Sequence, residues 1–98
     1  MRFARNVHFQ IKNGKDAEFN RIITNDVLPL LKKQKGFKEE LTLVSPERAL
    51  GISVWDDRAS AETYQTNGYP QVLEKLNPVL DGTPRVEMYD VVASTLIS

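Results

Sequence analysis

What most constrains this chain is the order in which two periodicities alternate along it. Phe3, Val7, Phe9 and Ile11 fall at odd positions, with Asn6, His8, Gln10 and Lys12 between them. That period of two predicts a strand with one apolar face. Asn13-Gly14 closes it with turn chemistry. From Asp16 to Lys35, Phe19, Ile22, Ile23, Val27, Leu30 and Leu31 fall on a single helical stripe instead. Asp16 is its expected N-cap, Glu18 suits the positive helix end, and Lys32, Lys33 and Lys35 suit the negative one. Gly36 stands where a helix usually stops, and Pro29 should kink the last two turns.

Period two returns from Phe37 to Val44 and from Leu50 to Trp55, joined by the short turn Ser45-Pro46-Glu47-Arg48, which reads as a hairpin. Asp56 and Asp57 offer capping oxygens to a short helix over Ala59–Thr66. Asn67-Gly68 stops that helix, and Pro70 opens another that runs to about Leu76. A long valine-rich strand is expected from Arg85 to Thr95. The order is therefore β-α-β-β-α-β over a single domain of 98 residues. It predicts a ferredoxin-like α+β fold, a four-stranded antiparallel sheet with its helices on one face.

Such a sheet has a second face. Alternation puts Phe3, Val7, Phe9, Ile11, Leu41, Leu43, Ile52, Val54, Val86, Met88 and Val92 under the helices. Asn6, His8, Gln10, Thr42, Val44, Ser53, Trp55, Tyr89, Val91 and Ala93 are then expected on the far side. A face carrying Trp, Tyr and several aliphatic groups is an interface candidate. Two copies packed sheet to sheet would cover it, so the chain is expected to be a homodimer.

Composition excludes several classes of function. Thirteen Lys+Arg balance thirteen Asp+Glu, so no basic stripe marks a nucleic-acid binder. With no cysteine and one histidine, no disulfide, thiolate or multi-histidine metal site is expected within one chain. The strongest apolar cluster, Val27-Leu28-Pro29-Leu30-Leu31, is too short to span a bilayer, which needs about 20 residues. No membrane partner and a cytoplasmic location are the expectation.

Three stretches resemble a known family. Ile11-Lys12-Asn13-Gly14-Lys15-Asp16-Ala17-Glu18-Phe19 is similar to the strand-loop-helix opening of the antibiotic biosynthesis monooxygenase-like proteins. Val27-Leu28-Pro29-Leu30-Leu31 leading to Lys35-Gly36-Phe37 resembles the end of that family's first helix. Ile52-Ser53-Val54-Trp55, with Ala61-Glu62 and Tyr64, resembles its third strand and second helix. The resemblance implies a dimeric α+β barrel and, in some members, cofactor-free oxidation of quinol- or anthrone-like aromatics. It also allows a non-catalytic small-molecule-binding or assembly module of the same fold. Haem-degrading members combine a strand-one asparagine with a tryptophan and a histidine on the second helical segment. Asn6 aligns with that asparagine, or Val7 does when the loop gap is moved by one residue, while Tyr64 takes the tryptophan position and the histidine position falls near Glu74. Haem is therefore not expected, and neither is another cofactor.

The candidate site residues follow from side-chain chemistry. His8 is the chain's one imidazole, the side-chain type most often used as a general base, and is the natural candidate for that role. Asn6 has an amide that can donate to a developing oxyanion. Trp55, Tyr64 and Tyr69 offer stacking surfaces and phenol hydroxyls to a small aromatic ligand. With Trp55, Asn6 and His8 assigned to one face, and the two tyrosines to the other, the set is not expected to converge on one substrate.

Overall fold

The computed structural model describes residues 1–95. Strands β1 (Phe3–Gln10), β2 (Phe37–Ser45), β3 (Arg48–Trp55) and β4 (Arg85–Asp90) form one antiparallel sheet in the order β2-β3-β1-β4. Helices α1 (Asp16–Ile22) and α2 (Leu28–Lys32) make the first crossover, and α3 (Arg58–Asn67) and α4 (Tyr69–Leu76) the second. This is the ferredoxin-like arrangement that the alternation of periods predicts.

The first crossover is one helical path with a wide π-helical turn, Ile23–Val27, between α1 and α2. Pro29 sits in the first turn of α2 and supplies no N–H. Widening the turn before it moves carbonyls away from the pyrrolidine ring, so a π-turn replaces the expected kink. Asp16 does not cap α1, whose N-cap is Lys15 without a side-chain bond. Its Oδ2 instead accepts the Glu47 N–H at 3.2 Å, tying the helix start to the β2–β3 turn. Asp57 does cap α3, accepting the Ser60 N–H at 2.8 Å.

The core lies between sheet and helices. Phe3, Val7 and Phe9 of β1 meet Phe19, Val27, Leu31, Val72 and Leu76 from the helices. Each fully buried large apolar side chain of this kind contributes roughly 1.5–3 kcal/mol.

The faces of β2 and β3 are the reverse of the expectation. In β3 the inward residues are Ala49, Gly51, Ser53 and Trp55, while Leu50, Ile52 and Val54 are turned outward. Leu41 and Leu43 of β2, paired with Ile52 and Leu50, are also outward and half exposed. The physical reason is volume. Burying the indole of Trp55 fixes the register of β3, and its small neighbours leave room for the second crossover's tyrosines. An irregularity in β2 between Phe37 and Glu39 lets Phe37 stay against Trp55 while the rest of the strand changes phase.

Strand β4 ends at Asp90 rather than Thr95. Val91 still donates to Arg2 O at 2.9 Å, but Val92 is almost fully exposed, not under the helices. Beyond the end of β1 no strand partner remains for that segment.

Candidate functional site

The site is built from the inward residues of three strands and the broken second crossover. Strand β1 presents Arg5 inward, between Phe3 and Val7, where it is only 1% exposed. A guanidinium in a helix-covered core must be matched by polar or aromatic groups, because an unmatched buried charge is strongly disfavoured. Gln65 of α3 supplies Oε1 as acceptor for both Arg5 Nε, at 3.1 Å, and Arg5 Nη2. The Tyr64 and Tyr69 rings supply cation–π faces, 4.9 and 4.5 Å from the guanidinium carbon. Burial lowers the Arg5 pKa, the nearby phenols and Glu40 partly opposing it.

Tyr64 is held by what lies behind it. Its ring stacks on Trp55 with centroids 4.8 Å apart, and Trp55 meets Phe37 edge-on at 5.5 Å. Trp55 is fully buried, its Nε1–H donating to Ser53 Oγ at 2.9 Å. Burial pushes both phenols above their ordinary pKa, so each hydroxyl remains a protonated donor at neutral pH.

Glu40 faces inward from β2, beside Ser53 of β3. Its Oε2 accepts the Thr42 hydroxyl at 2.8 Å. Burial raises the carboxyl from its ordinary 4.5 to about 7, against the opposing pull of Thr42 and Arg5. Arg5, Glu40, Tyr64 and Tyr69 line a cavity of about 30 Å³ between sheet and helices, room for about one water. Outside it runs an open groove of about 400 Å³ between the first helical path and β2, lined by Asn20, Thr24, Leu28 and Val44. Groove and cavity share Ile23, Glu40 and Thr42. Glu40 therefore stands at the neck between solvent and the buried cation.

The residues singled out from the sequence divide across the sheet. Tyr64 and Tyr69 line the inner cavity, and Trp55 joins their side as the support of Tyr64 instead of lying with Asn6 and His8. Asn6 and His8 face outward, each half-buried. His8 Nε2 lies 2.9 Å from Glu87 Oε1, and that contact holds the Glu87 carboxyl below its ordinary pKa. A broad depression, about 530 Å³, is on this outer side and is lined by His8, Leu43, Leu50 and Arg85 among others. The single layer of the sheet stands between its His8 and the inward Arg5 and tyrosines. Arg5 and Glu40 escaped the sequence reading because a charge in an alternating strand is normally assigned to solvent. The signal was Arg5 itself, at an odd position among the apolar residues of β1.

No family model and no curated protein matches the chain. Solved structures do. A protein of unknown function from Nitrosomonas europaea superposes with a TM-score of 0.84 at 18% identity, over 99% of this chain and 95% of its own. A candidate antibiotic biosynthesis monooxygenase from Bordetella bronchiseptica gives 0.80 at 14% identity, over 94% and 98%. SnoaB, a cofactor-independent oxygenase from Streptomyces nogalater, gives 0.78 at 15% identity, over 96% of each chain. The chain has the antibiotic biosynthesis monooxygenase fold. At these identities the likeness is one of fold, and chemistry has to be argued from this chain's own residues. Among the described residues, no helix of this monooxygenase-like fold is long and apolar enough to cross a membrane. None of their His, Cys, Asp and Glu side chains form a group of three or more that could hold a metal ion.

Proposed function

We propose that this chain is a homodimeric, monooxygenase-like protein that handles a small electron-rich aromatic in the cavity and groove between its sheet and helices. The observation that carries the reading is Arg5, a buried cation facing a cavity that shares Ile23, Glu40 and Thr42 with a solvent-open groove. A core built only for stability has no use for such a charge, whereas a site that stabilises an oxyanion does. Tyr64 and Tyr69 form the walls of this site, and Trp55 positions Tyr64.

The reaction that fits is cofactor-independent oxygenation of a quinol- or anthrone-like substrate. Removal of a proton gives an electron-rich anion that reduces oxygen directly. With an anthrone, the ring methylene and one O₂ give a carbonyl and one water; with a hydroquinone, one O₂ takes two electrons and two protons to give the quinone and hydrogen peroxide. The fold shared with SnoaB agrees with this chemistry. Asn6 and His8 take part in the other half of the proposal, at the sheet face where two copies meet. There the outward Leu41, Leu43, Leu50, Ile52, Val54 and Tyr89 form one apolar surface.

Oxygen uptake with an anthrone and hydroquinone panel tests the activity. The expected result is consumption matched by ketone or quinone formation and lost in Arg5→Met. Tight binding of the same compounds without oxygen uptake supports the alternative, a non-catalytic binding module.

A further inference from the structure

Arg5 lacks the partner that a buried cation normally has. Its side-chain partners are neutral, the Gln65 amide oxygen and the nearby Tyr69 hydroxyl, and among the described residues no carboxylate reaches ion-pair distance. Glu40, on the same cavity, is spoken for on one side only, where Oε2 accepts from Thr42. Gly51 leaves that carboxylate its room, since a Cβ there would stand 3.3 Å from Glu40 Oε2 and 3.4 Å from Phe9. Tyr69, in the same wall, has a buried hydroxyl close enough to the guanidinium to interact with it, although without a hydrogen bond of good geometry. Cation and hydroxyl thus meet beside the Glu40 carboxyl around one small space, with the cation left without an ion pair there.

We infer that the site takes a weak oxygen acid, a phenol or enol, whose proton passes to Glu40 while its oxygen settles as an anion against Arg5 and the Tyr69 hydroxyl. This rests on the reading of the cavity as the small-molecule site and adds the residues that ionise the ligand, Glu40 as proton acceptor and Arg5 with Tyr69 as partners of the anion. The ligand's O–H bond breaks, an O–H bond forms on the Glu40 carboxylate, and no electron changes hands. The site's net charge is unchanged, because negative charge has only moved from Glu40 to the ligand oxygen. The charged or titratable groups around Glu40 are Arg5 from β1, Glu39 beside it on β2, and the phenols of Tyr64 and Tyr69. The first helical path contributes only Ile23, Val27 and Leu31 to the cavity.

The raised Glu40 pKa suits a proton acceptor working near neutrality. It also sets selectivity. A carboxylic acid arrives already ionised and puts a second anion beside Glu40, so the site must draw a proton from solvent to hold it. A phenol brings its own proton. With room inside for little more than an oxygen, the flat body of the ligand lies in the groove against Ile23, Leu28 and Val44.

The test uses 2-naphthol at about pH 8, where the free compound is neutral and its naphtholate absorbs at longer wavelength. Binding to the purified protein should raise the naphtholate absorbance, with a calorimetric heat independent of the buffer's ionisation enthalpy, since no proton reaches solvent. Glu40→Gln should keep the naphtholate signal but release a proton to the buffer. Arg5→Met, checked for folding by circular dichroism, should lose the signal and bind at least about tenfold more weakly, and Arg5→Lys should recover part of both. Naphthol that binds but stays neutral, with Glu40→Gln and Arg5→Met unchanged, overturns the proton transfer. In that event, loss of binding in Thr24→Trp, which fills the groove, keeps the cavity as the site. Binding that ignores Thr24→Trp, or no binding by the unmodified protein, overturns the site reading itself.

Discussion

The two faces of the sheet exchange the roles usually assigned to inside and outside. The inner face, covered by four helices, holds a guanidinium, a carboxyl and two phenols among its apolar groups. The outer face, open in the single chain, turns five aliphatic residues from β2 and β3 towards water. Burial alone would sort these the other way round. On the proposed function, the interior keeps its costly polar groups for a ligand and the exterior turns its leucines to a second copy. The outer face is itself divided: β2 and β3 carry the apolar half, while β1 and β4 carry Asn6, His8, Arg85 and Glu87.

The most decisive way to break this contrast is to place a charge on the outer face. Leu41→Asp should leave the single chain folded, because Leu41 is already half exposed there. In a dimer it buries an unpaired carboxylate, which should raise the dissociation constant by at least about a hundredfold. Native mass spectrometry should then show the 11.1 kDa chain where the parent gives a species of twice that mass. A parent already at 11.1 kDa removes the dimer, and with it the meaning given to the outer leucines. On the inner face, Trp55→Ala should cost about 3–5 kcal/mol in urea unfolding, as large aromatic truncations in cores do. A loss below about 1 kcal/mol would mean that Tyr64 does not depend on the indole behind it.

The same contrast explains how much of the molecule was legible beforehand. Element order and fold class followed from periodicity, and β1 was assigned to the right face because Phe3, Val7 and Phe9 outweigh one charge. Strand β3 misled because both of its faces are apolar: Ile52 and Val54 on one, Trp55 on the other. Counting apolar residues favours the first, whereas packing is decided by the volume that has to be filled. The site was half legible. Tyr64 and Tyr69, legible as aromatic rings with hydroxyls, do line the cavity. Arg5 and Glu40 were hidden because alternation predicts where a side chain points but not whether a charge is tolerated there. That tolerance depends on Gln65, Thr42 and the tyrosine faces, which come from distant stretches of chain.

A pH experiment sharpens the inner half of the comparison. Glu40 is raised from 4.5 to about 7 in the folded chain, so the folded state holds this proton more tightly than the unfolded one. Its contribution to stability is full below pH 4.5, falls as pH rises towards 7, and is flat above. The span is roughly 1–3 kcal/mol. Glu40→Gln should remove that slope, leaving the variant more stable than the parent at about pH 8. Urea unfolding at fixed protein concentration on both sides of the window checks it. A parent no less stable at the alkaline end than the variant would place Glu40 in contact with water.

The smallest effect is expected from His8→Ala, and it separates the two faces most cleanly. His8 and Glu87 form a half-exposed pair on the outer face, where solvent screens the attraction. Loss of the imidazole should therefore leave the stability of the single chain and the rate of oxygen uptake nearly unchanged. Self-association is another matter, because a seam formed by this face would include the pair, and its dissociation constant should move a few-fold. Sedimentation velocity and an oxygen electrode on the same preparation read both quantities. If uptake disappears while the dimer persists, the reacting substrate lies against the outer face, in the depression beside His8, and the buried Arg5 is only a structural cation. If association alone responds, the sheet divides the labour: one side recognises a second copy of the chain, and the other holds the chemistry.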